Sequence, residues 1–234
     1  MKYCFIGDIH GKYNLMKKIV EQFSDSHKMI FVGDFVDSYN ESRTEQLKCI
    51  ELILELIKNN KAESVLGNHE MSYLFKEHEC SGRSNDFYIM LLPYLNDILK
   101  YFKYYIYLEN DKILITHAGL TKQIWDDYNL NFNNLKEFLE FKTQSNNNLR
   151  LNPLHYIAFS RGGNDNYGGI FWCDWNEEFK PISELKQIMG HTRYSSTNEK
   201  GIRIKESYNF NIDCLDNYNE ILEYDDETKQ FDII

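Results

Sequence analysis

The sequence predicts an α/β fold in which two mixed β-sheets pack as a sandwich flanked by helices. Three observations carry that expectation. Short apolar runs alternate with helical patterns in the first half, short strands dominate beyond Ile170, and no internal repeat or Gly/Ser/Pro-rich linker divides the 234 residues. The chain therefore reads as one domain over residues 1–234, long enough to bury a substantial core.

The first run, Tyr3 to Ile6, reads as a buried strand ending at Gly7-Asp8-Ile9-His10-Gly11, and Leu15, Met16, Ile19, Val20 and Phe23 follow at helical spacing. Met29 to Val32 runs into Gly33-Asp34-Phe35-Val36-Asp37, before a helix with Leu47, Ile50, Ile53, Leu54 and Ile57 on one face. Ser64 to Leu66 then meets Gly67-Asn68-His69-Glu70. Three such units in series imply parallel strands with right-handed crossovers, and loops at the carboxyl ends of those strands converge on one crevice.

Met71 to Phe102 is mainly helical in pattern, and Tyr104 to Leu108 with Lys112 to Thr116 reads as a hairpin around Asn110-Asp111. Its second strand leads into His117-Ala118-Gly119. The stretch of about 121–166, with Asn146-Asn147-Asn148 inside it, reads as helices and loops and as a candidate helical cap or insertion over the site. The expected strands beyond it are Phe171 to Trp175, Gln187 to Met189 before Gly190-His191-Thr192, Ile202 to Glu206, Phe210 to Cys214, Ile221 to Tyr224 and Phe231 to Ile233. The acidic cluster Glu223, Asp225, Asp226 and Glu227 fits a solvated hairpin turn.

A formal charge of −10 repels polyanions at long range, so no nucleic-acid partner is expected. The five scattered cysteines form no Cys-x-x-Cys pair, which suits a reducing cytoplasm over a disulfide framework or zinc knuckle. No apolar run reaches the roughly 18 residues of a membrane span, so neither a membrane partner nor a signal peptide is expected.

Asp8, His10, Asp34, Asp37, Asn68, His69, His117 and His191 all fall at expected strand ends. Carboxylate, imidazole and amide oxygen without thiolate suit divalent ions such as Mn, Fe, Zn or Mg. A carboxylate shared by two such ions holds them about 3.5–4 Å apart, a spacing that clamps a phosphoryl group. His27, His78 and His155 lack a comparable setting and read as surface or structural residues. Glu70 reads as a first-turn helix residue favoured by the dipole.

These five motifs, in this order, resemble the calcineurin-like metallophosphoesterases, and within them the phosphoprotein phosphatase branch that is related to the diadenosine tetraphosphatases. They span residues 7 to 192, and Asn211-Ile212-Asp213 resembles the strand that closes the family's second sheet. The resemblance implies two divalent metal ions, manganese first, with iron, zinc, nickel or magnesium as alternatives. Asp8, His10 and Asp34 would hold one, and Asp34, Asn68, His117 and His191 the other. It further implies attack by a metal-bridging hydroxide, proton delivery from His69 and orientation of His69 by Asp37. The implied substrate is a phosphorylated protein carrying phosphoserine or phosphothreonine, or a small phosphoester, with dinucleoside polyphosphate hydrolysis as the alternative. A reading from a different class, less favoured because every ligand and His69 are present, is a non-catalytic protein-binding scaffold.

The sequence departs from the pattern at Ser38-Tyr39, where the family usually continues Asp-Arg-Gly. Arg161, in Ser160-Arg161-Gly162-Gly163, and Arg43 are the resulting candidates for binding phosphate.

Overall fold

A computed structural model describes residues 1–144, 149–193, 201–206, 208–215 and 220–234. The Asn146–Asn148 run lies outside the described residues. The first half alternates as expected: β1 (Lys2–Ile6), α1 (Tyr13–Phe23), β2 (Lys28–Phe31), α2 (Arg43–Lys58), β3 (Ala62–Ser64) and α3 (Asn68–Leu74). Helices α4 (Asn85–Leu91) and α5 (Leu95–Tyr101) precede the hairpin of β4 (Ile106–Leu108) and β5 (Ile113–Ile115). After α6 (Lys122–Asp127) and α7 (Leu135–Gln144) come β6 (Lys186–Met189), β7 (Arg203–Lys205), β8 (Asn209–Asn211), β9 (Leu222–Asp225) and β10 (Gln230–Ile233).

Two five-stranded mixed sheets result, ordered β10-β9-β1-β2-β3 and β4-β5-β6-β8-β7. In the first, β1, β2 and β3 are parallel neighbours, and β9 and β10 complete it antiparallel. In the second, β5, β6 and β8 are parallel, with β4 and β7 as antiparallel edges. The period of two sets the packing. Cys4, Ile6, Met29 and Phe31 join the cluster shared with the helices, whereas Phe5, Ile30 and Val32 join Ile113, Ile115, Ile188, Phe210 and Leu222 in a second cluster. Burying each of these large side chains contributes about 1.5–3 kcal/mol.

Local chemistry fixes the helix that supports the site. Ser42 caps α2 with a reciprocal box, its Oγ accepting from Glu45 N while the Glu45 carboxylate accepts from Ser42 N. Gln46 follows on the buried face of α2 beside Cys49, Ile50 and Ile53. From the 121–166 stretch, Ile124, Leu130, Leu135, Leu139 and Leu154 are buried in the same cluster as Met16 and Ile50.

Two expectations need correction. The Phe171–Trp175 run is buried but forms no strand: Trp172 N and Cys173 N both donate to Gly169 O at 3.0 Å, closing a turn. A short apolar run shows burial without fixing backbone conformation. The third strand also ends at Ser64; beyond it, Val65 N still donates to Phe31 O at 3.0 Å and Val65 forms an isolated bridge to Lys103. No helix among the described residues is long and apolar enough to cross a membrane.

Candidate metal centre

The carboxyl ends of β1, β2 and β3 and those of β5, β6 and β8 deliver their loops to one rim of the sandwich. Backbone bonds lock these loops together: Ile9 N and His10 N both donate to Asp34 O, at 3.0 and 2.8 Å, and Gly190 N donates to His117 O at 2.8 Å. Four non-glycine site residues hold left-handed backbone, His10 (φ 43°), Asp34 (55°), Asp37 (60°) and His191 (69°). Strain of this kind persists where the surroundings enforce it, and here it aims side chains inward. Close approach also demands glycine: a Cβ on Gly190 would stand 1.9 Å from Asp8 Oδ1, and one on Gly67 2.0 Å from Asp34 Oδ1.

Asp34 Oδ2 lies 3.8 Å from His10 Nε2, 3.9 Å from His69 Nε2 and 3.3 Å from His117 Nε2. Both His10 and His117 present Nε2 for the same reason. Each donates its Nδ1–H to a backbone carbonyl, His10 to Val36 at 2.9 Å and His117 to Val32 at 2.8 Å, which fixes the tautomer and turns the Nε2 lone pair to the centre. Asn68 Oδ1 stands 2.8 Å from His117 Nε2 and 2.9 Å from His191 Nδ1, and those two nitrogens are 3.2 Å apart. Three lone-pair donors at such separations repel one another unless a proton or cation lies between them.

Two triads have ligand atoms all within 4.8 Å of one another, His10, Asp34 and His69, and Asp34, His117 and His191; both share Asp34. Asp8 is in neither triad. Its carboxylate is buried beside them, with Oδ2 accepting from His191 N at 3.0 Å and Oδ1 without a hydrogen-bond partner. His191 Nε2 is likewise buried and unpartnered. The donor set, the orphaned atoms and the converging lone pairs fit divalent cations.

The electrostatics without cations reflect the same crowding. Burial, then the nearby Asp213 charge, raises Asp8 well above the carboxylate range. Burial lowers His10 to about 4 and holds His191 well below its ordinary value. Burial also opposes charge on His117, but the Asp34 carboxylate outweighs it and raises that imidazole to about 9.

His69 Nδ1 lies 3.0 Å from Asp37 Oδ2, while Asp37 Oδ1 accepts from Tyr73 Oη at 2.5 Å and Asp37 N donates to Gln46 Oε1 at 2.8 Å. The carboxylate is thus held by His69 and Tyr73, and its backbone by Gln46. Cys80 Sγ accepts from Asn68 Nδ2 at 3.1 Å, turning the amide oxygen to the centre.

Sequence reasoning missed Glu70 as a site residue. Its buried carboxylate accepts from Asp34 N (2.8 Å), Phe35 N (2.8 Å) and Gly67 N (3.1 Å), tying the second loop to the third. The Gly67-x-x-Glu70 spacing of a capping box was the available signal.

A cavity of about 390 Å3 opens over this cluster, lined by His10, Asp34, Asp37, Asn68, His69 and His191 together with Tyr39, Arg161, Trp172 and Arg193. Arg161 reaches it with Nη2 donating to Thr192 Oγ1 at 2.8 Å and lying 2.7 Å from Asp174 Oδ2. Arg43 does not reach it; its Nη1 pairs with Asp86 Oδ2 at 2.8 Å on the exposed start of α2. His78 and His155 are buried structural residues, and His27 pairs with Glu223.

A two-sheet α/β sandwich thus gathers carboxylates, imidazoles and an amide at one rim, a donor set that fits divalent cations. The family model for calcineurin-like phosphoesterases matches residues 1–195, and the chain belongs to that family of phosphoric ester hydrolases. Among curated relatives, the asymmetrical bis(5'-nucleosyl)-tetraphosphatase PrpE of Oceanobacillus iheyensis is 23% identical over 150 residues, 53% of this chain and 58% of its own length. The symmetrical bis(5'-nucleosyl)-tetraphosphatase of Baumannia cicadellinicola is 33% identical over 132 residues, 53% of this chain and 44% of its own. The chain spans about half the length of these relatives. Among solved structures, the cold-active protein-tyrosine phosphatase of a Shewanella species superposes with a TM-score of 0.65 at 14% identity, covering 99% of this chain and 80% of its own. A Saccharomyces cerevisiae serine/threonine phosphatase gives 0.58 at 17%, covering 100% and 79%. Both likenesses concern the fold.

Proposed function

We propose that the chain hydrolyses phosphate monoesters with two divalent cations, manganese first, acting on phosphoserine or phosphothreonine in proteins. The observation that carries this reading is the position of Asp34 Oδ2, within 3.3–3.9 Å of imidazole nitrogens from three different loops. Asp8, His10 and Asp34 would hold one cation, and Asp34, Asn68, His117 and His191 the other, with Asp34 between them. When bound, the cations supply Lewis-acid stabilisation of phosphoryl charge and lower the pKa of a water molecule.

The side chains supply the rest. His69 carries a proton on Nε2 toward the leaving oxygen, and its Nδ1 stays on Asp37, which Tyr73 and Gln46 hold in place. Arg161, anchored by Asp174 and Thr192, offers its guanidinium to the phosphoryl oxygens. Ester and water become alcohol and phosphate, and the His69 proton is restored from solvent. A cavity of about 390 Å3 suits a phosphoryl group and the first atoms of a side chain, with the rest of the substrate outside the rim.

A second reading, dinucleoside polyphosphate hydrolysis, draws support from the names of the sequence relatives and from Tyr39, which lines the same cavity while 78% exposed and offers a face for a base. One panel separates the two: phosphate release from p-nitrophenyl phosphate and a phosphothreonine peptide against ADP release from diadenosine tetraphosphate, with manganese added. Turnover of the first pair is expected, faster than of the nucleotide. A folded protein inert on all three with every divalent ion sinks both readings.

A further inference from the structure

In the turn after Asp37, Ser38 spends its hydroxyl on local structure, accepting from Asn40 N and Glu41 N. Arg43 faces Asp86 instead of the cavity. We infer that Arg193 binds the phosphoryl group, so that its oxygens are gripped by Arg161 and Arg193 together. The inference rests on the phosphoesterase reading and adds to it a binding residue that none of the sequence motifs includes.

Two observations support the assignment. Arg193 lines the cavity together with His10, Asp34, Asp37 and His69. Its backbone is also anchored: the Arg203 guanidinium donates to Thr192 O and, at 3.4 Å, to Arg193 O, while Asn211 Nδ2 donates to Thr192 O at 3.3 Å.

Thr192 couples the two arginines. Its Oγ1 accepts from Arg161 Nη2 at 2.8 Å and from Trp175 N at 3.0 Å, and it is covalently next to Arg193. One short turn therefore sets the spacing of both guanidiniums relative to His191. Arg161 is held at the cavity by Nη2, on Thr192 and Asp174. Two guanidiniums on one phosphoryl group hold it by charge and by direction.

The test compares wild type, Arg193→Ala, Arg193→Lys and the double variant Arg193→Ala with Ser38→Arg. Each is assayed with p-nitrophenyl phosphate and manganese, with inorganic phosphate as competitive inhibitor and manganese affinity measured by titration. Arg193→Ala is expected to weaken phosphate inhibition and raise KM by about tenfold or more, with manganese affinity unchanged. Arg193→Lys should retain part of the binding because charge survives but the fork does not. Ser38→Arg, between the cavity-lining Asp37 and Tyr39, should recover phosphate inhibition in the double variant. An active wild type whose Arg193→Ala variant keeps its phosphate inhibition constant within twofold, or loses manganese in parallel, overturns the inference alone. A wild type inert with every divalent ion overturns the phosphoesterase reading and the inference with it.

Discussion

Asp37 Oδ2 and His69 Nδ1 meet at 3.0 Å across 32 residues of chain, joined by the turn after β2 and the first turn of α3. The pair places one imidazole nitrogen on a fixed carboxylate and leaves the other for the cavity. His69→Ala is expected to lower kcat by about 10²–10⁴ with manganese retained. Asp37→Asn should lower it less, since the ring persists but its orienting charge is gone. Steady-state kinetics beside metal titration checks both, and loss of metal from His69→Ala would assign that ring to coordination instead.

Glu70 yields a structural prediction. Its carboxylate satisfies three buried N–H groups on two loops, and an unsatisfied buried donor costs about 1–3 kcal/mol. Glu70→Ala should therefore destabilise the fold by about 3 kcal/mol or more and weaken manganese binding, because Asp34 N is one of the three. Glu70→Gln keeps one acceptor oxygen and should fall between. Urea denaturation gives the stabilities, and equal stability of Glu70→Ala and wild type would refute the tie.

Much of this was legible in the chain. The repeat of apolar run, glycine, polar residue and helix gave β1 to β3, and the alternation of Phe5 against Cys4 and Ile6 carries over directly to the two clusters. His10, Asp34, Asn68, His117 and His191 were visible because each follows a strand. Glu70 and Arg193 were not, for different reasons. The capping-box spacing of Glu70 from Gly67 could be read, but its tie to Asp34 N and Phe35 N on another loop is a relation no periodicity records. Arg193 matters through Arg203 and Thr192, which meet only after β7 and β8 join the second sheet. Phe171 to Trp175 misled because burial in a turn and burial in a strand select the same side chains.

Cation binding should be visible as stability. A ligand that binds only the fold adds about 2.7 kcal/mol at one hundred times its Kd. At this chain length that raises Tm by about 5–10 °C on adding manganese to metal-free protein. Asp34→Asn is the informative variant: Asn tolerates the left-handed backbone at φ 55°, so the loop survives while the shared carboxylate is lost. It should abolish the manganese-induced shift seen by calorimetry; a shift equal to wild type would remove Asp34 from the centre.

A final prediction concerns acid stability behind the cavity wall. Trp172 Nε1–H donates to His78 Nδ1 at 3.1 Å, which leaves the His78 proton on Nε2, where it is donated to His155 Nδ1 at 2.8 Å. Burial pushes His78 down to about 4 and His155 to about 3, both from 6.5. The folded values lie below the unfolded ones, so between about pH 6.5 and 4 the unfolded chain takes up protons that the fold excludes. Stability from this pair is complete above pH 6.5 and declines on acidification, by up to about 1.4 kcal/mol per pH unit for each ring. His155→Gln keeps an acceptor for His78 and removes one titrating ring. Denaturation of metal-free protein at pH 6.0, 5.5 and 5.0 should show the variant losing stability less steeply than wild type, and identical slopes would show that this ring takes up its proton in the folded state as readily as in the unfolded one.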